Sequence, residues 1–202
     1  MLRAEVATAY DARAEEYVER LGSVEQMAAQ DLATITAWRD ATTGRLLDAG
    51  SGPGHWTDVL SAGGREVVGV DASVRFVASA RCRFPHVSAV VGDLAALPVR
   101  TGSVGGVLAW FSLIHTPPSG LPALVGELAR VLEPGGSLLL GFFDGEPGRP
   151  FDHAVTTAHH WSADALGELL GPHGFVVVRA GARQDPDHRR QGDLEARLGP
   201  GR

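Results

Sequence analysis

An α/β architecture, a parallel sheet doubly wound by helices, is what this chain of 202 residues predicts. Two observations carry that expectation. Short apolar runs alternate with amphipathic stretches from about residue 45 to residue 143. One of the runs, Leu46-Leu47-Asp48, ends in an acid and passes at once into Ala49-Gly50-Ser51-Gly52-Pro53-Gly54, with glycines at alternate positions. Glycine has no Cβ and tolerates positive φ, so such a turn lets a ligand approach bare backbone. His55-Trp56-Thr57 read as a helix start, which aims free N–H groups at the same ligand. The expectation is a nucleotide-type site at the carboxyl edge of the sheet.

The elements follow in order. Apolar positions at helical spacing predict helices over 4–21 and 24–38. A strand at 45–48, a helix at 56–62, a strand at 66–71 and a helix at 74–84 come next. They are followed by a strand at 87–91, a loop at 94–100, a strand at 105–110, a helix at 121–132 and a strand at 137–143. A helix over 163–170 precedes a strand at 175–178, and Leu194, Ala196 and Leu198 alternate as a last, short strand. There is no internal repeat and no linker that would divide the chain. It reads as one domain over 1–202, with residues 1–40 as a helical cap on a core of residues 41–202.

Composition narrows the function classes. The net charge of −6 leaves no basic footprint for nucleic acid. Arg183, Arg189 and Arg190 cluster near the C-terminus, but aspartates interrupt them, and the segment reads as a solvated loop. The single cysteine, Cys82, cannot form an internal disulfide and suits a reducing cytoplasm. It falls in a predicted helix and reads as a small packing residue. No apolar run has the length of a membrane span, and the first residues do not begin a signal peptide. The expectation is a cytoplasmic protein, monomeric or homodimeric, with no membrane and no nucleic acid among its partners.

The glycine turn discriminates among cofactors. A dinucleotide fingerprint needs G-x-G-x-x-G, and the third position is His55 counting from Gly50 and Thr57 counting from Gly52. A P-loop needs a lysine, and all 18 basic residues are arginine. The same absence excludes a lysine Schiff base. What remains is G-x-G-x-G after an acid. Further along, Val67-Val68-Gly69-Val70-Asp71 is an apolar run ending at an acid placed to accept hydrogen bonds from ribose hydroxyls. Asp71 also suits a plain helix N-cap, and Asp93 a local turn bond.

These segments, with Val91-Gly92-Asp93-Leu94, the run from Val107 to His115 and the run from Leu132 to Leu140, resemble the class I S-adenosylmethionine-dependent methyltransferases of the small-molecule type. The resemblance extends in order over most of the chain. It implies a Rossmann-like seven-stranded sheet, mostly parallel, with an antiparallel last strand and helices on both faces. It also implies S-adenosylmethionine as cofactor, S-adenosylhomocysteine as product and a small-molecule methyl acceptor, with oxygen or nitrogen preferred. The cofactor residues it implies are Tyr17, Asp48, Gly50, Ser51, Gly52, Gly54, Trp56, Thr57, Asp71, Ala72, Gly92, Asp93, Leu94, Trp110, Phe111 and His115. Asp48 is expected to orient the glycine loop or meet the cofactor's ammonium end.

Acceptor candidates come from the carboxyl-edge loops and the cap: Tyr10, Tyr17, Trp110, Phe111, His115, His153, His159 and Trp161. Tyr10 and Tyr17 share a helix face, which suits core packing as well. Methyl transfer is accelerated by positioning, and a base is needed only if the acceptor loses a proton. His115 is the first candidate base and His153 the second, with a structural histidine as the competing reading of His115. Adjacent His159 and His160 point apart, and no metal is expected. The alternative reading is a protein of this fold that keeps the cofactor while transfer chemistry is lost or exchanged, as in a cyclase-like enzyme or a structural partner.

Overall fold

A computed structural model describes residues 2–186 and 188–200. The cap comprises α1 (Leu2–Ala12), α2 (Ala14–Leu21) and α3 (Ala29–Ala41). The core then alternates β1 (Leu46–Ala49), α4 (His55–Leu60), β2 (Val67–Asp71), α5 (Val74–Arg83), β3 (Ser88–Val91) and β4 (Val104–Trp110). It continues through α6 (Leu121–Val131), β5 (Leu132–Phe143), a small ribbon of β6 (Pro150–Phe151) and β7 (Ala158–His159), α7 (Ala163–Leu170), β8 (Phe175–Arg183) and β9 (Gln191–Leu198).

Seven strands form one sheet in the order β3-β2-β1-β4-β5-β9-β8. The first five are mutually parallel, and β9 runs antiparallel to both neighbours. The expected architecture is therefore the observed one. Alternation along each strand sends side chains to two faces. Leu47, Val68, Val107, Leu138, Leu140 and Phe142 pack on one side with α6 and α7. Leu46, Val67, Leu108 and Leu139 pack on the other with Ile35 and Trp38 of α3 and Trp56 of α4. In β9 the alternation buries Leu194 and Ala196 completely.

Four expectations of local structure are corrected. The helix expected over 4–21 breaks at Arg13, whose ψ of 14° leaves the helical region. Its guanidinium is held by Glu16 and by the carbonyl of Ala154. The helix expected over 24–38 is displaced: Ser23 N–H donates to Gln26 Oε1 in a short 3-10 turn, Met27 is extended, and α3 begins only at Ala29. The arginine cluster is a solvated loop only in part: Arg189 and Arg190 are exposed between β8 and β9, but Arg183 belongs to the end of a strand. Arg183 closes β8 with its side chain only 15% exposed, and Arg190 pairs with Asp144. Cys82 is exposed on α5 and packs into no core.

The turn between β1 and α4 is where glycine is indispensable. Gly50 has φ +79°, and a Cβ there would sit 2.2 Å from Cβ of Ser112, so the loops after β1 and β4 are pressed together. Gly52 has φ +53° with nothing within 4 Å of such a Cβ: it faces open space. β1 and β4 are also the neighbours between which the chain reverses its progress across the sheet, the place where α/β sheets open a crevice.

Candidate active site

A cavity of about 620 Å³ lies at that crevice, a size typical of small-molecule sites. The carboxyl ends of β1, β2 and β4 floor it, and the cap roofs it. Of the residues expected from the sequence, Tyr10, Tyr17, Gly50, Ser51, Gly52, Trp56, Asp71, Ala72, Asp93, Leu94, Trp110, Phe111, His115 and His153 line it. Asp48, Gly54, Thr57, Gly92, His159 and Trp161 do not. Asp48 and Thr57 lie beneath the turn, where Thr57 Oγ1 donates to Asp48 Oδ2 at 2.7 Å. Gly54 and Gly92 are glycine for packing: a Cβ would press on Ala80 at 2.7 Å or on Val70 at 2.8 Å. His159 approaches the carbonyl of Ile114, and Trp161 borders a small apolar void on the other face of the sheet.

Asp71 is the best-defined polar group on the floor. Its Oδ2 accepts from Gly52 N–H and its Oδ1 from Ser73 N–H, each at 2.8 Å. Burial raises its pKa and these bonds oppose the rise. The cap is tied down beside it, because Ser73 Oγ donates to Asp11 Oδ1 at 2.5 Å. Asp48 has no such neighbours. Burial pushes its carboxyl up to about 7, with Asp71 adding to the rise and Thr57 opposing it.

The roof meets the floor through one hydrogen-bond chain. His115 Nδ1 lies 2.8 Å from the carbonyl of Thr157, which can only accept, so Nδ1 carries the proton. Nε2 is then an acceptor, and the Tyr10 hydroxyl donates to it at 2.8 Å. Burial lowers the His115 pKa, and burial raises that of Tyr10. The His153 ring lies 5.0 Å from that of His115, and burial, aided by His115, pushes its pKa down to about 4. Tyr10, Tyr17 and Phe76 form an aromatic cluster over Asp71, with centroids 5.1–5.9 Å apart.

At the other end, Phe143 packs against Phe111 at 5.1 Å. The Trp110 ring lies over Gly141, where a Cβ would meet it at 2.8 Å. Phe111 holds φ +53°, the only non-glycine residue at positive φ among those described. Strain of that kind persists where the surroundings over-determine it, as at ligand sites.

Several lining residues had no signal in the sequence. Phe143, Gln191 and Asp31 reach the cavity only through strand register and the seating of α3. His55 had served to mark a helix start and to break a fingerprint, not as a site residue. It is 5% exposed, lines the cavity, and burial pushes its pKa down to about 4. Both its ring nitrogens, with Ser51 Oγ and Ser112 Oγ, are buried without a hydrogen-bond partner. Such orphaned groups on a cavity wall call for a polar ligand.

Fold and cavity together define a nucleotide-cofactor protein with its site at the switch point of a parallel sheet. The comparisons with known proteins narrow this. Residues 46–136 match a family model described as a methyltransferase domain. A probable S-adenosylmethionine-dependent methyltransferase of Mycolicibacterium smegmatis is 34% identical over 151 residues, 73% of this chain and 56% of that protein. An uncharacterized methyltransferase of Synechocystis sp., sll0829, is 31% identical over 144 residues, 67% of this chain and 68% of that protein. The crystal structure of magnesium protoporphyrin IX methyltransferase from Synechocystis with bound S-adenosylhomocysteine superposes with a TM-score of 0.80 at 21% identity. That match covers 98% of this chain and 100% of the other. The chain belongs to the class I S-adenosylmethionine-dependent methyltransferases. It spans 56% and 61% of the length of the first curated relatives it matches.

The residues present suit this cofactor. A hydrogen-bonded carboxylate, bare backbone at Gly52 and unpartnered polar atoms at Ser51 and His55 offer donors and acceptors to a nucleoside with an amino-acid tail. The aromatic faces beside them favour a positively charged sulfur.

Proposed function

We propose that the chain transfers a methyl group to oxygen or nitrogen of a small-molecule acceptor, releasing S-adenosylhomocysteine, in the cytoplasm. One observation carries the proposal: a single cavity runs from Asp71, Asp93 and Leu94 to Trp110, Phe111 and Phe143, with His115 and His153 along it. When bound, S-adenosylmethionine supplies a methyl carbon activated by a positively charged sulfur. The chain's own residues do the rest. Asp71 receives the ribose hydroxyls on lone pairs that Gly52 and Ser73 leave free, and Asp93 and Leu94 meet the adenine. Tyr10, Tyr17 and Phe76 shut out water. Trp110, Phe111 and Phe143 hold the acceptor, so that much of the acceleration comes from positioning.

His115 is the base in this reading. Its Nδ1–H is fixed on the Thr157 carbonyl, so the free lone pair is on Nε2, the atom that takes the acceptor's proton once the Tyr10 hydroxyl turns aside. The lowered pKa keeps the ring neutral and ready to accept at neutral pH. His153 borders the same space and is the second candidate.

Calorimetry with S-adenosylmethionine, S-adenosylhomocysteine and NAD tests the donor side. Binding of neither sulfur nucleoside more tightly than about 0.1 mM, the weaker part of the ordinary enzyme range, would refute it. A second reading has one observation in its favour: Nε2 of His115 is already engaged by Tyr10, which suits a protein that keeps the cofactor without transferring its methyl. The solved [4+2]-cyclase SpnF matches this chain with a TM-score of 0.79 at 20% identity. Formation of S-adenosylhomocysteine in an acceptor screen separates the two readings.

A further inference from the structure

The acceptor end of the cavity holds a polar pair. Phe143 is opposite Gln191 across β5 and β9, and Gln191 is opposite Arg183 across β9 and β8. Residues in one such row share a face of the sheet, and this is the face that α3 covers. Arg183 there donates from Nη1 to Asp31 Oδ1 and from Nη2 to Gln191 Oε1, both at 2.5 Å, while its Nε donates to Asp185 at 2.7 Å. A guanidinium is a planar, rigid fork, so it holds the carboxylate of Asp31 and the amide of Gln191 side by side.

Each partner is held through one atom only. Asp31 Oδ2 and Gln191 Nε2 have no hydrogen-bond partner among the described residues, and neither is sealed from open space. Asp31 is only 7% exposed, yet both residues line the cavity, next to Phe143. A buried ion pair is weak evidence for stability alone, because desolvating its members offsets most of their attraction. The arrangement presents one free acceptor and one free donor, neighbours at the end of an aromatic slot.

Building on the methyltransferase reading, we propose that Asp31 and Gln191, braced by Arg183, form the recognition edge for the acceptor. The class of acceptor they select is a flat ring bearing an N–H beside a carbonyl, a lactam or ring amide. The ring lies among Trp110, Phe111 and Phe143, its N–H donates to Asp31 Oδ2, and its carbonyl accepts from Gln191 Nε2. An acceptor lacking the N–H leaves Asp31 Oδ2 desolvated and unpaired, which is how a site of this kind discriminates.

The test uses the full chain saturated with S-adenosylhomocysteine and two probes, 2-quinolone and N-methyl-2-quinolone, titrated by protein-observed fluorescence and ligand NMR. Wild type is expected to favour 2-quinolone by about tenfold or more, the size of one lost hydrogen bond to a charged group. Asp31→Asn should reduce that preference to about twofold or less, whereas Gln191→Met, which removes the donor to the carbonyl that both probes carry, should weaken both by about threefold or more with the preference kept; S-adenosylhomocysteine affinity is retained in each. Gln191→Met preserves the volume of the side chain, and if Asp31→Asn does not fold, undiminished binding of both probes to Gln191→Met overturns the proposal by itself. Equal binding of the probes to wild type, binding of neither, an undiminished preference in folded Asp31→Asn, or undiminished binding of both probes to Gln191→Met overturns the proposal. Failure of wild type to bind S-adenosylhomocysteine instead overturns the reading beneath it.

Discussion

Asp48→Asn tests how the buried acid beneath the glycine turn is accommodated. Asp48 is 1% exposed, forms no ion pair among the described residues, and has its pKa pushed from 3.8 to about 7 by burial. Between those values the folded chain binds a proton that the unfolded chain does not. The contribution of Asp48 is therefore fully present below about pH 4 and is lost as pH rises to about 7. Keeping the carboxylate charged at pH 8 costs on the order of 4 kcal/mol, at about 1.4 kcal/mol per pH unit. At pH 5 the group is already protonated in the fold, and the cost is about 1.5–2 kcal/mol. Asparagine keeps an oxygen for Thr57 Oγ1 but carries no charge, so its fixed offset cancels when two pH values are compared. The variant's stability relative to wild type should rise by about 2–3 kcal/mol from pH 5 to pH 8. Urea unfolding with linear extrapolation at each pH measures this directly. A difference that does not move with pH, or that moves the other way, refutes the account of Asp48.

The remaining predictions use the same site. Gly50→Ala meets Ser112 at 2.2 Å at positive φ and should cost more than about 2 kcal/mol in thermal unfolding. Gly52→Ala meets nothing within 4 Å and should cost only about 1 kcal/mol, while weakening S-adenosylhomocysteine binding sharply in calorimetry. Asp71→Ala should weaken that binding by about 1–3 kcal/mol; an unchanged affinity shows that the ribose assignment is wrong. His115→Ala should lower turnover about 10²-fold or more with cofactor affinity kept, and unchanged turnover removes it from the role of base. His55, with its pKa pushed down to about 4, should make wild type lose stability as pH falls from about 6.5 to 4. His55→Phe should flatten that slope, and an identical slope in both proteins counts against the assignment.

The sequence by itself determined the sheet and the class of cofactor. Alternation of apolar runs and amphipathic stretches is a local property, and it placed the strands of the parallel core to within a few residues. The glycine turn, Asp71 and Asp93 were legible because each stands at the end of its own strand, where a few consecutive residues decide the backbone. Even there, proximity in sequence did not decide direction. Asp48, Gly54, Thr57 and Gly92 belong to the same short motifs, yet none lines the cavity: Asp48 and Thr57 bond each other beneath the turn, and Gly54 and Gly92 are pressed against Ala80 and Val70.

Tertiary structure alone decided which side chains close the far end of the cavity, beside Phe143. Phe143, Gln191 and Arg183 are neighbours through the register of β5, β9 and β8, and a shift of one residue would have sent each to the other face. Asp31 joins them because α3 starts five residues later than helical spacing predicted, after Met27 extends the chain. Tyr10 and His115 are 105 residues apart in the chain and meet only because α1 docks over the end of β4. Contacts of that range depend on how elements pack, and packing is set by the whole chain at once.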